Sequence, residues 1–140
     1  MAELPSGYAL TEQIDAAAAH AYLARSYWSP GIPLAIVARA IANSLCVAVR
    51  HHGEQVGLAR VVTDRATFAY LADVYVLEDH RGRGLAQAMV GWLQGHSELQ
   101  GLRRWLLMTV DAHPLYAKLC WSSLAHPDRA MERLFPDVYA

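Results

Sequence analysis

Two arginines alternate with two glycines where an apolar run gives way to a helical pattern. The stretch reads VYVLEDHRGRGLAQAMV over residues 74–90, with Arg81, Gly82, Arg83 and Gly84 at its centre. The first N–H groups of a helix lack partners within the helix, and the helix dipole is positive there. Glycine allows such groups to converge on an anion, and arginine pairs well with phosphate. The stretch predicts a phosphate or pyrophosphate cradle; a tight turn with two solvated arginines is the alternative.

The predicted cradle does not match two well-known phosphate-binding loops. A nucleoside-triphosphate loop ends in Gly-Lys-Ser/Thr, a sequence that is absent from this turn. A dinucleotide fingerprint has three glycines early in a βαβ unit, whereas these glycines follow three predicted strands. The ligand is therefore expected to be a different phosphate compound.

Hydrophobic patterns predict the elements that position this turn. The expected order is a short strand in 7–13, helices over 14–28 and 34–42, two strands in 45–64 joined at His52-Gly53, a strand in 66–77, a helix after Gly84, a strand over 103–110, a short helix in 111–121, and a tail of strand or loop with one amphipathic turn. We expect Leu85, Met89, Trp92, Leu93 and His96 to share one face of the helix after Gly84. This order predicts a mixed α/β fold in a single domain spanning residues 1–140.

Composition narrows the classes of protein to consider. The chain has 140 residues, 54% of them apolar and 18% charged, as in a globular domain. A net charge of -1 without a run of Lys or Arg argues against nucleic acid as a partner. The apolar stretches are too short to cross a membrane, and MAELPSGYAL lacks the layout of a signal peptide. Cys46 and Cys120 are expected to be free thiols in a reducing cytoplasm, and no metal-ligand spacing appears.

Two motifs resemble those of the GNAT family of N-acetyltransferases. The family has an Arg/Gln-x-x-Gly-x-Gly/Ala turn between its fourth strand and third helix, and residues 81–86 match it after the strand end Val74-Tyr75-Val76. Its downstream Leu-Tyr-x-Lys-x-Gly-Phe pattern is similar to Leu115-Tyr116-Ala117-Lys118-Leu119-Cys120-Trp121. The resemblance extends over the whole chain in element order. It implies an α/β fold of the α+β type: a mixed, mostly antiparallel sheet flanked by helices and splayed between its fourth and fifth strands.

The resemblance implies acetyl-CoA as cosubstrate, without a metal, and an amine as acceptor. The backbone of the turn would hold the pyrophosphate, with the arginine side chains adding contacts, and the strand end would pair with pantetheine. The N–H of Val76 would polarise the thioester carbonyl. Thr109 stands where many relatives carry a coenzyme-binding Asn. The implied cofactor-binding residues are Val74, Val76, Arg81, Gly82, Arg83, Gly84, Leu85, Ala86, Thr109 and Tyr116.

The same resemblance nominates two catalytic residues. Tyr116 matches the family's general acid, which protonates the leaving thiolate; packing against Leu115 and Leu119 is the alternative. Asp73 lies in an apolar strand, where a carboxylate needs a partner or water. It is either the general base or the partner of Arg60 on the neighbouring strand. Asp111 and His113 could reach the same cleft, but each is also suited to capping or to the surface.

The resemblance also implies that the acceptor side lies between the first and second strands. Tyr27 and Trp28 precede a Pro-Gly turn and could present aromatic faces to an ammonium group beside Asp73, although packing within a helix would explain them too. We therefore expect the substrate-binding residues Tyr27, Trp28 and Asp73 to bind a small primary amine. A non-catalytic acyl-CoA-binding module and a transferase acting on a protein amine are the alternatives. Apolar residues near the C-terminus allow a homodimer, which is common among relatives.

Overall fold

The computed structural model describes residues 4–140 and contains a mixed sheet of five strands in the order β1-β2-β3-β4-β5. Neighbouring strands are antiparallel from β1 to β4, and β4 and β5 are parallel. The elements are β1 (Tyr8–Thr11), α1 (Ala16–Leu23), α2 (Leu34–Ala42), β2 (Leu45–His51), β3 (Glu54–Thr63), β4 (Phe68–Val76), α3 (Leu85–Gln94), β5 (Arg104–Leu107) and α4 (His113–Ala117). The predicted mixed, mostly antiparallel α/β fold is confirmed. Residues 1–3, which belong to the MAELPSGYAL segment expected to lack a signal peptide, lie outside the described residues.

Alternation along the central strands produces two apolar cores, one on each face of the sheet. Val47 and Val49 of β2 pack with Met89 and Leu93 of α3 in the larger core. The side chains of Cys46, Leu58 and Tyr75 point to the other face, where they pack against α1 and α2. Because α3 is held on a fully buried face, the turn that precedes it has a fixed position at the end of β4.

The sheet splays between β4 and β5. Residues Phe68–Leu71 pair with Arg104–Leu107, and no β5 partner follows for 72–76. The predicted splay is therefore present, and it shortens the strand expected over 103–110 to four residues. The C-terminal half of β4 keeps β3 on one side and has an open edge on the other.

A bulge interrupts β4 where it leaves β5. Asp73 and Val74 together oppose Ala59, because Leu58 pairs with Tyr75 and Arg60 pairs with Ala72. Asp73 has φ of +53°, a left-handed conformation that Asp tolerates better than most residues. Such bulges redirect side chains, and this one turns the Asp73 carboxylate toward β3.

Two helical predictions are wrong at their ends. The helix expected over 14–28 stops at Leu23 because Ser26 donates its hydroxyl to the Leu23 carbonyl at 2.7 Å and its N–H to the same carbonyl at 3.1 Å. Helix α3 ends at Gln94, so His96 is not on its buried face. Beyond Trp121 the chain forms loops with one 3-10 turn at Pro127–Arg129, so the strand alternative for the tail is wrong.

No helix within residues 4–140 combines the length and apolarity needed to cross a bilayer. Both cysteines are free thiols, as expected.

Candidate active site

The Arg-Gly turn carries a row of backbone N–H groups without protein partners among the described residues. Gly82 and Gly84 have φ of +76° and +75°, and Gly84 is the N-cap of α3. Within residues 4–140, the N–H groups of 82–87 donate to no protein acceptor; the helix bonds begin with Ala88 N–H to the Gly84 carbonyl at 3.0 Å. A Cβ built at either glycine would meet nothing within 4 Å, so the positive φ, rather than crowding, requires glycine here. The geometry is that of an anion cradle.

The two arginines of the turn have different surroundings. Arg81 Nε donates to the Val76 carbonyl at 2.9 Å, and its terminal nitrogen donates to Tyr22 Oη at 3.1 Å. Arg83 makes only 3.4 Å contacts, to the carbonyls of Asp79 and Arg81. Arg81 therefore joins the turn to β4 and α1, while the charge of Arg83 remains at the exposed rim.

The open edge of β4 leads directly into the cradle. Leu77 N–H donates to the Val56 carbonyl on β3 at 2.8 Å. Because successive N–H groups of an extended strand point in opposite directions, the Val76 N–H faces the open edge. The Arg81 contact with the Val76 carbonyl agrees with this orientation, since the N–H and C=O of one residue in a strand share a side.

One cleft of about 1030 Å³ connects the cradle, the open strand edge and the aromatic turn. With the exception of Arg83, every residue that the sequence nominates for the site contributes to its lining: Tyr27, Trp28, Asp73, Val74, Val76, Arg81, Gly82, Gly84, Leu85, Ala86, Thr109 and Tyr116. Asp111 also lines the cleft, whereas His113 does not. The structure therefore brings the two sequence motifs together at one site.

Tyr116 is buried, but its hydroxyl is not sealed inside the protein. Its ring packs edge-on to Trp121 with a centroid separation of 6.0 Å, and the residue is 8% exposed. The hydroxyl has no hydrogen-bond partner among the described residues, and it is not among the fully enclosed polar atoms. Burial, with a smaller contribution from Tyr27, raises the pKa of Tyr116 to about 12. The phenol is therefore protonated at neutral pH and available as a donor in the cleft.

Asp73 holds two other groups in place. Its Oδ2 accepts from Arg60 Nε at 2.7 Å, and its Oδ1 accepts from Trp28 Nε1 at 2.9 Å. The Arg60 and Asp73 side chains are 17% and 13% exposed, so this is a largely buried ion pair. Arg60 also donates to Ser44 Oγ at 3.0 Å. The pairing of Asp73 with Arg60, one of the two sequence alternatives, is what the structure contains.

The acceptor side is a compact turn rather than the end of a helix. Ser26 and Ser29 bond to each other and to the Leu23 carbonyl, and Gly31 N–H donates to the Ala24 carbonyl at 2.9 Å. This turn presents two exposed aromatic rings, Tyr27 and Trp28, which lie edge-on at 5.0 Å. Their alternative explanation, packing within a helix, is wrong because α1 has already ended.

Tyr22 and Tyr75 stack beneath this side of the cleft. Their rings are parallel within 6° at a centroid distance of 4.1 Å, and Arg25 lies 4.5 Å over Tyr22. Arg25 also forms a two-point ion pair with Glu78, at 2.9 and 3.2 Å, which lowers the pKa of Glu78 to about 2. These contacts fix α1 to the turn that precedes the cradle.

The two departures from the family pattern have different outcomes. Thr109 Oγ1 accepts from Ala112 N–H at 3.1 Å, so its oxygen already supports the start of α4. Cys120, which stands where the family has Gly, has φ of +72° and is exposed. The turn keeps the left-handed conformation that glycine favours, and Cys120 adopts it under strain.

Tyr139 is a cleft residue that the sequence does not point to. It comes to the cleft because the chain end folds back, placing the Tyr139 carbonyl 3.3 Å from a Cβ built at Gly31. No local pattern reports this return over more than a hundred residues. Its aromatic character near the end of the chain was the one available signal.

Comparisons with known proteins agree with this geometry. A sequence model described as the Acetyltransferase (GNAT) family matches residues 12–120. A Xanthomonas campestris pv. campestris crystal structure, assigned as an acetyltransferase of the GNAT family, is 42% identical with a TM-score of 0.93, covering 99% of each chain.

Two further relatives are more limited in what they show. A Gibberella zeae protein assigned as an acetyltransferase is 47% identical over 68 residues, which are 46% of this chain and 37% of that protein. Glucosamine-6-phosphate N-acetyltransferase from Arabidopsis thaliana has a TM-score of 0.64 at 13% identity, covering 91% of this chain and 98% of its own. At that identity the likeness concerns the fold alone.

Proposed function

Because the chain belongs to the GNAT acetyltransferase family, we propose that it transfers the acetyl group of acetyl-CoA to the primary amine of a small molecule. The observation that carries this proposal is the run of unpaired N–H groups over 82–87, which opens into the same cleft as the free edge of β4. A coenzyme with a diphosphate and an extended amide-bearing arm fits both features. When bound, acetyl-CoA supplies an activated acetyl thioester.

The cradle and the open strand edge would hold the coenzyme. The amides of 82–87 lie at the positive end of the α3 dipole and suit the diphosphate. Arg83 adds a cation at the rim, while Arg81, whose side chain is half exposed, supports the cradle by bonding Val76 and Tyr22. The N–H of Val76, which faces the open edge of β4, would donate to the thioester carbonyl, where negative charge develops.

Tyr116 would act as the general acid. Its hydroxyl faces the cleft without a protein partner and is protonated at neutral pH, as a donor to a leaving thiolate must be. This residue distinguishes the enzyme from a module that only binds acyl-CoA.

Asp73 would be a positioning residue rather than the general base. Taking up a proton would weaken its bond to Arg60, which is largely buried, and both its oxygens already have donors. Its role would be to fix Trp28 at the acceptor side. Asp111 is an exposed cleft carboxylate that forms no salt bridge within residues 4–140, so it is better placed to receive the proton of an ammonium, directly or through water.

The acceptor would be small and would carry an apolar or aromatic group. Trp28 and Tyr27 form one wall, and Tyr139 lies close by on the returning chain end. Aromatic faces attract an ammonium and bury apolar surface, a combination that suits an amine with a hydrophobic body. Within the described part of the chain, no three or more His, Cys, Asp or Glu are arranged so that they could hold a metal ion.

The proposal is tested in two steps. Thermal shift with acetyl-CoA should raise the Tm of the protein, since a ligand that binds only the folded state stabilises it. Release of CoA thiol is then measured across a panel of small amines, alongside an acetylation assay on peptide amines. The Tyr116→Phe variant should bind acetyl-CoA normally and turn over slowly. Binding of acetyl-CoA without release of CoA thiol in the presence of any amine would support a non-catalytic module instead. The absence of a thermal shift with acetyl-CoA would contradict both the enzyme and the binding module.

A further inference from the structure

Three imidazoles form a cluster on the rim beside the cradle. The ring of His51 lies 4.1 Å from that of His52 and 5.0 Å from that of His80, measured between centroids. Tyr8 packs on His51 at 4.4 Å. The His80 ring is adjacent in sequence to Arg81 and also lines the cleft, so the histidine cluster (His51, His52 and His80) continues the surface of the cradle.

The histidine cluster is assembled by three separate elements. His52 and Gly53 form the tight turn between β2 and β3, with φ of +50° and +86°. A Cβ at Gly7 would lie 3.1 Å from Cε1 of His52, so glycine lets the segment before β1 approach this ring closely. A hydrogen bond of 2.7 Å joins Tyr8 Oη and His80 Nδ1. The rings are therefore held by β1, the β2–β3 turn and the turn before the cradle.

The charges around the cluster favour an anion. The groups facing His51 are His52, His80 and Arg83, which disfavour its protonation, and Glu54, which favours it. Burial is the largest cause of the lowered pKa of His51, followed by those cationic neighbours. None of the three histidines forms a salt bridge with a carboxylate in the described chain, and neither does Arg83. Each cationic group near His51 would thus be stabilised by an added negative charge.

We propose that the histidine cluster, together with Arg83, binds the 3′-phosphate of coenzyme A and does so more tightly as the pH falls. This inference rests on the proposed function, because the coenzyme carries both a diphosphate and a phosphomonoester. Arg83 belongs to the cradle turn and is near His51, so it connects the two anion sites. A dianionic phosphate would offset the mutual repulsion of the imidazolium groups.

The pH dependence follows from the protonation of the imidazoles. Neutral imidazole offers the phosphate at most one N–H donor per ring, whereas imidazolium adds charge to the same contact. Since its neighbours lower the pKa of His51 in the free protein, a bound dianion must raise it, and proton uptake accompanies binding. The affinity gained from the 3′-phosphate is therefore larger near pH 6.5 than near pH 8.

The test compares acetyl-CoA with acetyl-3′-dephospho-CoA by isothermal titration calorimetry at about pH 6.5 and about pH 8. At the lower pH the wild-type protein should bind acetyl-CoA on the order of tenfold more tightly than acetyl-3′-dephospho-CoA, and this affinity ratio should shrink at the higher pH. The double variant His51→Gln/His52→Asn should lose this ratio and keep its affinity for the dephospho compound. Asn is chosen because it tolerates the left-handed conformation of His52. His126→Gln, in the exposed C-terminal segment, is the matched control and should keep the full ratio.

Three results would contradict the inference or its premise. Equal affinities for the two compounds in the wild-type protein at both pH values would overturn the 3′-phosphate site and leave the proposed function intact. A ratio retained by the double variant would overturn the assignment to the histidine cluster. Failure of both compounds to bind would overturn the proposed function itself.

Discussion

Replacing Asp73 by Asn separates a positioning role from a basic one. Asn has nearly the same shape, tolerates the φ of +53°, and can still accept from Trp28 Nε1. The substitution thus removes one charge and leaves Arg60 without its carboxylate. We expect lower stability and weaker binding of the amine, because the single amide oxygen of Asn cannot accept from both Trp28 and Arg60.

The size of the effect follows from the burial of the pair. Removing one partner of a fully buried ion pair costs about 3–5 kcal/mol. Arg60 and Asp73 keep 17% and 13% exposure, and Ser44 still accepts from Arg60, so the expected loss in free energy of unfolding is about 2 kcal/mol. For a chain of this length that corresponds to a fall in Tm of roughly 6 °C.

The assay combines calorimetric Tm with steady-state kinetics. Asp73→Asn should lower Tm and raise KM for the amine more than it lowers kcat. The double variant Asp73→Asn/Arg60→Met should lose less stability than the two single variants lose together, since no uncompensated charge remains. Glu132→Gln, an exposed carboxylate in the tail, is the control and should change neither quantity. A variant with unchanged Tm and KM but greatly reduced kcat would refute the positioning role and make Asp73 the base.

Three further substitutions test the cleft and its supports. Tyr116→Phe should lower kcat by about 10²-fold or more with an unchanged Kd for acetyl-CoA, and a fully active Phe variant would exclude the acid role. Because burial raises the pKa of Tyr116 to about 12, deprotonation of this phenol should produce no alkaline limb in the wild-type pH–rate profile below about pH 10; a limb that disappears in the Phe variant would contradict the raised pKa. Gly84→Ala should weaken acetyl-CoA binding by roughly tenfold in calorimetry. Gly101 has a similar φ of +78° and equally open surroundings, so Gly101→Ala should introduce the same backbone strain but leave the Kd for acetyl-CoA unchanged. An equal loss of affinity in both variants would contradict a binding role of the cradle. Cys120→Gly should raise the free energy of unfolding by about 1 kcal/mol in denaturant titration, because glycine adopts the left-handed φ of +72° without strain. A lower free energy of unfolding in this variant would contradict strain at Cys120.

The parts of the fold that could be predicted from the sequence are those set by local pattern. The apolar run of β4, the His52-Gly53 turn and the cradle each carry their own signal over a few residues. The early end of α1 was missed because it depends on Ser26 bonding to the backbone, which competes with an alanine-rich helical propensity.

The residues that line the site could be predicted from the sequence, but the contacts between them could not. The left-handed bulge at Asp73 reflects the divergence of β4 from β5, which no residue type in β4 reports. Arg81 is expected to contact phosphate, and its half-exposed side chain also donates to the Val76 carbonyl and to Tyr22 Oη. The contact with Tyr22 spans 59 residues, so no local pattern could report it. The conformation at Cys120 could not be predicted from its residue type, because Cys disfavours the left-handed region that this turn requires.

Amide NMR reports whether the main-chain N–H groups after β4 bind a diphosphate. In a ¹H–¹⁵N titration, CoA should shift the Gly82 and Gly84 amide protons downfield, as expected for new hydrogen bonds to phosphate, and leave Gly101 unmoved. Pantetheine, which lacks the diphosphate, should leave all three in place. Coenzyme binding that leaves the Gly82 and Gly84 amide protons unshifted would show that this turn does not bind the diphosphate.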